Sequence, residues 1–411
     1  MKTLVLDDDP TGTQSATDVR VLMTWDSDRI RDALEHADSV YLQTNSRALD
    51  EASAVALANQ IRGDLSAALP NTPVRIVLRG DSTLRGHVFA ETEQFMTPDA
   101  VMLFVPAFPA GGRTTRNGIH YVAIDGAEVP ASETEYADDP VFPFHSSGLE
   151  QYVREKSDRT PVAIPLESVR SGGDSLTDAI LAAPPGSVIV PDAVTDADIT
   201  AIARAAEAAE LRGREIIVRS AAPLAAELAG VRSQGLLDGP IADRGSRVLV
   251  VCGSHTGGAT GQLAALAQEF GEPEVLDTDD ALADPDGAGH ALANRALARD
   301  IDVTIISSER NRRGTDNGLH HGERVMRGLV HAAREIVPRV DVVVAKGGIT
   351  SAEIARSALG ASSARVLGQI LPGVSLWQLS AFDGRERLYV VVPGNVGASD
   401  TLLRVMRALG R

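Results

Sequence analysis

Thr3-Leu4-Val5-Leu6 runs directly into Asp7-Asp8-Asp9-Pro10-Thr11-Gly12-Thr13, an apolar strand-like segment that stops at three carboxylates and a turn. The same pattern recurs along the chain. Val40-Tyr41-Leu42 opens into Gln43-Thr44-Asn45-Ser46-Arg47, residues 74–78 into Arg79-Gly80-Asp81-Ser82, and residues 101–105 into Pro106-Ala107-Phe108-Pro109. In the second half, residues 248–251 open into Cys252-Gly253-Ser254-His255, 303–306 into Ser307-Ser308, 342–345 into Lys346-Gly347-Gly348, and 389–392 into Pro393-Gly394-Asn395. In an open parallel α/β sheet ligands sit beyond the carboxyl ends of the strands, so these polar endings are site candidates by geometry. Turn chemistry alone accounts for the glycines better than for the acids and arginines.

Helical patterns alternate with the strand-like runs, as in the alanine-rich periodicity of residues 50–68. A chain of 411 residues exceeds the length at which one core stops growing. The expected fold is therefore α/β with two domains, each a largely parallel sheet flanked by helices, and an active site in the interdomain cleft. Turn residues cluster from Gly235 to Gly245, which sets the expected domains at 1–240 and 241–411. Residues 106–148 break the alternation, being rich in Pro, Gly, Thr and aromatics; a functional or mobile stretch is expected, with 106–117 as a loop over the site. Residues 284–289 read as a surface loop.

A formal charge of −17 argues against a nucleic-acid-binding face, which needs a basic footprint. No apolar stretch approaches the roughly 18 residues of a membrane span, and no signal segment precedes the first strand, so a cytoplasmic address is expected. The single cysteine, Cys252, excludes an intrachain disulfide, and the nine histidines show no HExxH-like ligand spacing. Only Lys2, Lys156 and Lys346 appear among 39 lysines and arginines, which singles out Lys346 between a buried-looking strand and two glycines.

Three consecutive carboxylates repel one another unless a cation relieves them, and Mg²⁺ held through one or two of them with phosphate oxygens is one reading; binding of substrate hydroxyls is another. The segment LRGDSTLRGH, residues 78–87, sets Arg79, Asp81, Ser82 and Arg85 in one strand-to-helix turn. Two guanidiniums there can hold a carboxylate while Asp81 accepts a proton from a substrate hydroxyl, and Arg47 can join them. Such a set suits a small hydroxy acid. Three glycine turns, at 253–258, 347–350 and 393–397, expose backbone N–H groups of the kind that hold phosphates. Thr350-Ser351-Ala352-Glu353 also fits a capping box. No GxxxxGK[ST] is present.

The ordered motifs DDDPTGTQ (7–14), TNSR (44–47), DSTLRGH (81–87), PAFPAGGRTTRNGIHYV (106–122), SETEYADDPVFPF (132–144), GSHT (253–256), KGGITS (346–351), VLGQILPGVSLW (366–377) and PGNVG (393–397) resemble those of the four-carbon acid sugar kinase family. The resemblance runs nearly end to end. It implies an N-terminal domain that binds a threonate-, erythronate- or 3-oxo-tetronate-type acid and a C-terminal domain that binds ATP. On that pattern Ser254, Gly347, Gly348, Ile349, Thr350 and Gly394 contact the nucleotide, with Lys346 near its phosphates. Arg47, Arg79, Ser82 and Arg85 bind the acid, and Asp81 is the leading base. Asp8 and Asp9 are alternative bases or Mg²⁺ ligands. Position 79 is Arg where relatives often carry Lys, and position 255 is His where many carry a smaller residue, which leaves substrate preference open. The expected partners are the acid sugar and ATP; the sequence leaves the oligomeric state open, a homo-oligomer included.

Two other functions fit parts of the chain. Leu4-Val5-Leu6-Asp7-Asp8-Asp9-Pro10-Thr11 is similar to the DxDxT opening of haloacid dehalogenase-like phosphatases, with Asp7 as nucleophile and Asp9 as acid, yet no lysine lies between Lys2 and Lys156 to complete that site. A non-catalytic hydroxy-acid sensor would need no nucleotide turns.

Overall fold

A computed structural model describes residues 1–124, 126–171, 174–233, 235–310, 319–394 and 396–411. The chain forms two compact units, Met1–Asp8 with Trp25–Arg232, and Asp9–Thr24 with Ser233–Arg411. The division differs from the expected cut at residue 240 in one instructive way: the segment that follows the second aspartate leaves the N-terminal unit for the other. Strand Val19–Leu22 pairs antiparallel with Ser363–Leu371, and the indole N–H of Trp377 donates to the Thr13 hydroxyl at 2.9 Å. Pairing across more than 340 residues of sequence leaves no local composition signal.

The main sheet of the first unit runs in the order Ser39–Gln43, Lys2–Asp7, Val74–Arg79, Ile216–Ser220, Val101–Val105, Val188–Pro191, Pro161–Ile164. Every neighbouring pair is parallel. Leu4, Val5 and Leu6 are all buried, as expected of a parallel strand covered on both faces. Helix Glu51–Ala68 starts where Asp50 accepts from the Ser53 N–H at 2.7 Å and buries Ala54, Ala58, Ile61 and Ala68 on one face. Register then fixes the site: Asp7 lies opposite both Gln43 and Arg79, and Arg79 lies opposite Ser220.

Residues 106–117 are not a free loop. A short 3₁₀ turn, Pro109–Gly111, leads into an antiparallel sheet of Arg113–Arg116, Ile119–Ile124 and Ala127–Pro130. Asn117 and Gly118 both have positive φ, 54° and 74°, the two-residue hairpin turn that an Asn-Gly pair favours. Beneath lies an aromatic core in which Phe104 and Tyr152 stack at 5.9 Å, with Phe89 and Phe144 around them.

In the second unit, Glu274–Leu276, Val303–Ser308, Val248–Cys252, Val342–Lys346 and Glu386–Val392 run parallel, and Val374–Ser380, Ser363–Leu371 and Val19–Leu22 extend the sheet antiparallel. The expected loop at 284–289 is instead the start of helix Pro285–Ala298, with Asp284 as N-cap and Pro285 at its first position. Its glycines serve proximity: a Cβ at Gly289 would lie 2.5 Å from the Gly328 carbonyl on helix Leu319–Ile336. Among the described residues no helix is long and apolar enough to cross a membrane.

Candidate active site

The carboxyl ends of the first unit's strands gather charge in a buried space. Arg79 is buried, and its Nη1 donates to Asp7 Oδ1 at 3.1 Å and to Asp8 Oδ1 at 3.2 Å. Arg219, at the end of Ile216–Ser220, donates from Nη1 to Glu91 at 2.8 Å and brings Nη2 to 3.8 Å from Asp8 Oδ2. Asp7 Oδ2, the Tyr41 hydroxyl and Gln43 Oε1 are buried with no hydrogen-bond partner. Orphaned polar atoms are rare in a native interior, and a group of them at strand ends is a sign of a ligand site. Burial pushes the Asp7 carboxyl up to about 7, with Asp8 adding to the rise and Arg79 opposing it.

Asp81 sits in the turn that follows Arg79. Its Oδ2 accepts from Arg85 Nε at 2.7 Å and from the Thr83 hydroxyl, and Arg47 Nη1 lies 3.5 Å from Oδ1. Burial works against its charge, but Arg85 and Arg47 together hold the carboxyl well below the usual range. Arg85 also stacks over the Tyr136 ring at 5.0 Å and reaches Asp139 at 3.5 Å. Of the three arginines expected to clamp a carboxylate, Arg47 and Arg85 therefore converge on Asp81, while Arg79 faces Asp7 and Asp8.

The turn itself is braced from below. His120 Nε2–H donates to the Ser82 carbonyl at 2.8 Å, and its Nδ1 accepts from the Thr115 hydroxyl at 3.0 Å. Burial keeps this ring neutral, lowering its pKa to about 4. Tyr152 donates to the Leu84 carbonyl at 2.8 Å, fixing a leucine at φ 67°. Neither His120 nor Arg219 was marked by the sequence, because one lies in the irregular stretch and the other ends a strand read only as apolar.

Asp9 plays a different part. Its Oδ1 accepts from the Thr11 N–H at 2.8 Å and from the Thr11 hydroxyl, capping the 3₁₀ helix Pro10–Ser15 in the second unit. A Mg²⁺ at Asp8 and Asp9 would share them with contacts already made: Arg79 donates to Asp8 Oδ1, whose Oδ2 is buried without a hydrogen bond, and Asp9 Oδ1 caps the helix. The phosphatase reading would need Asp7 as nucleophile, and Asp7 is fully buried against Arg79.

In the second unit three turns come together. A Cβ added at Gly394 would lie 2.9 Å from Ser254 Oγ, and one at Gly347 would lie 3.1 Å from Ser254 Cβ and Thr350 Oγ1. Thr256 caps helix Gly257–Phe270 and donates from its hydroxyl to the Gly394 carbonyl at 2.9 Å. Lys346 is buried, donates to the Pro393 carbonyl at 2.6 Å, and is lowered by burial to about 8. Gly348 opens helix Gly348–Glu353, on which Ile349 is exposed; its cap is Gly347 without a side-chain bond, so the expected Thr350–Glu353 capping box does not form. Asn395 lies outside the described residues. The three turns pack on one another closely enough that positions 347 and 394 leave no room for a side chain, which makes a cradle of small residues.

The family described as Sugar-binding N-terminal domain matches residues 3–228, and that described as Nucleotide-binding C-terminal domain matches residues 249–402. A D-threonate kinase of Bordetella bronchiseptica is 30% identical over 393 residues, covering 92% of this chain and 87% of that protein. The chain belongs to the four-carbon acid sugar kinase family. A D-erythronate kinase of Heliobacterium modesticaldum is 30% identical over 263 residues, 62% of this chain and 57% of that protein. A solved structure from Salmonella typhimurium LT2, described as a putative tRNA synthase, shares the fold with a TM-score of 0.71 at 18% identity over 99% of both chains. In this acid sugar kinase family member the sugar-binding match spans the Asp7–Arg79 and Asp81 clusters, and the nucleotide-binding match spans Ser254, Lys346 and Gly394.

Two outcomes follow from the geometry. A methyl at position 80 would lie 2.6 Å from Arg219 Nη2, so Gly80→Ala should destabilise the protein by about 1–3 kcal/mol in urea unfolding; Arg219→Met, which removes the guanidinium that binds buried Glu91, should cost more. Asp7 offers a pH signature. Its folded pKa of about 7 lies above the ordinary 3.8, so the folded state holds a proton that the unfolded state releases, and stability falls as pH rises between those values. The unfolding free energy of Asp7→Asn, minus that of the unaltered protein, should therefore grow from pH 4 to 7 and level off above; a flat difference would place the proton elsewhere.

Proposed function

We propose that the protein transfers the γ-phosphoryl group of ATP to a hydroxyl of a four-carbon acid of the threonate, erythronate or 3-oxo-tetronate type. The observation that carries this reading is the convergence of Arg47 and Arg85 on Asp81 at the strand ends of the sugar-binding unit. Two guanidiniums and one ionised carboxylate are what a small hydroxy acid needs: cations for its carboxylate and an acceptor for its hydroxyl. With Arg79 committed to Asp7 and Asp8, the carboxylate of the acid falls to Arg47 and Arg85, and the Ser82 backbone held by His120 sets the edge of the site.

In the reaction the substrate hydroxyl oxygen bonds to the γ-phosphorus as the bond to the β–γ bridging oxygen breaks, ADP departs, and the hydroxyl proton passes to a carboxylate. Transition states of this kind are loose, so the hydroxyl keeps its proton until late and the acceptor serves mainly to orient it. Asp81, ionised at every physiological pH, suits that part. The Ser254, Gly347 and Gly394 cradle receives the nucleotide's phosphates, while Lys346 holds the Pro393 carbonyl and with it the turn that carries Gly394.

The test is ADP release with ATP against a panel of both threonates, both erythronates and 3-oxo-tetronates. Turnover on at least one is expected; silence across the panel together with phosphate release from phosphorylated acids would replace the kinase by a phosphatase. Asp81→Asn should lower kcat by about 10²-fold or more with the KM for ATP unchanged, and normal turnover would remove Asp81 from the chemistry. Lys346→Met should raise the KM for ATP several-fold and leave the KM for the acid alone; equal changes in both would reduce Lys346 to a residue of the core.

A further inference from the structure

We propose that His290, His331 and Glu335 form a site for one divalent transition-metal ion of the zinc type, on the outer helices of the second unit and separate from its glycine turns. Helices Pro285–Ala298 and Leu319–Ile336 run close, as the Gly289–Gly328 approach requires. His331 and Glu335 are four residues apart on the second helix and so share a face. His290 meets them from the first.

The ligand atoms already surround a common point. His290 Nδ1 lies 2.9 Å from Glu335 Oε1 and 3.2 Å from Oε2, and His331 Nε2 lies 3.0 Å from Oε1. Among the described residues this is the one grouping of three His, Cys, Asp or Glu side chains whose ligand atoms lie within 4.8 Å of one another. Tetrahedral zinc with bonds of about 2.0–2.1 Å sets its ligand atoms roughly 3.3–3.5 Å apart. The two histidine-to-Glu335 separations reach that spacing by opening a few tenths of an ångström, and the two ring nitrogens lie within 4.8 Å of one another, adjustments within the freedom of partly exposed side chains. Two imidazoles and one carboxylate select a borderline ion over Mg²⁺ or Ca²⁺, and three protein ligands leave a position for water.

Partners for the far side of each ring are in place. His331 Nδ1 faces Asp286 at 3.8 Å, and Asp286 is itself held by Arg327 Nε at 2.8 Å; His290 Nε2 faces the Asn294 side-chain amide at 3.0 Å. An ion would replace the two ring-to-Glu335 hydrogen bonds. Each neutral ring would then carry its proton on the far nitrogen, towards Asp286 for His331 and, once the Asn294 amide that now presents its nitrogen turns over, towards its oxygen for His290, the outer arrangement common around metal-bound histidines.

The proposal does not depend on the kinase reading, and its test uses no turnover. The full chain, freed of metal by chelator and desalted, is titrated with ZnCl₂ by calorimetry. One ion per chain is expected, with affinity reduced at least tenfold in each of His290→Ala, His331→Ala and Glu335→Gln and unchanged in His320→Ala, which alters a histidine near the start of the same helix. Thermal unfolding checks that the variants fold. Absence of saturable binding, or binding that survives both His331→Ala and Glu335→Gln, overturns the site; so does loss of binding in His320→Ala.

Discussion

The pairing of Arg79 with Asp7 and Asp8 is the constraint from which the sugar-binding unit is built. Burying charge is costly unless each ion is matched, and breaking such a match costs about 3–5 kcal/mol because the remaining ion is stranded. Here Asp7, Asp8 and Glu91 face Arg79 and Arg219, three carboxylates against two guanidiniums. One negative charge too many remains. Burial pushes Asp7, the most deeply enclosed, up to about 7, and the proton it holds below that pH relieves the excess.

That imbalance explains the choice of cation. Arginine keeps its charge when buried and offers several donors in one plane, so Arg79 can bridge two aspartates and Arg219 can reach two acids. A lysine in the same surroundings would lose charge: Lys346, buried in the second unit, is already lowered to about 8. In a chain of net charge −17 with few lysines, the cations at these strand ends are guanidiniums, which stay ionised when buried.

Much of this was legible in sequence. Each of the eight apolar runs forms a strand, because parallel strands covered on both faces need continuous β-branched residues. Their polar endings mark both clusters. What failed had physical causes. Asn117-Gly118 is a hairpin signal that was masked by the proline- and glycine-rich stretch around it, and Asp284-Pro285 is a helix start that composition presented as a loop. The transfer of residues 9–24 to the second unit rests on Thr13 and Val19 meeting partners beyond residue 360, which no local pattern reveals. Asp9 caps a 3₁₀ helix through one oxygen, a use that the run of three acids did not suggest.

The turn from Gly80 to Gly86 shows how the buried pairing reaches the substrate side. Gly80 has no side chain because Arg219's guanidinium occupies that space, and Gly86 sits at φ 115° with Asp8 Oδ2 and Arg219 beside it. Leu84 holds a left-handed conformation that costs a non-glycine residue on the order of 1–2 kcal/mol. Such strain persists only where the surroundings over-determine it. Tyr152, His120 and the buried arginine supply that excess of restraint from three sides. The turn is thereby set before any ligand arrives, and Asp81, with Arg47 and Arg85 upon it, is delivered in one orientation. On the proposed reading an acid bound there would meet guanidiniums already held in place, so little of the interaction energy would be lost to ordering the site.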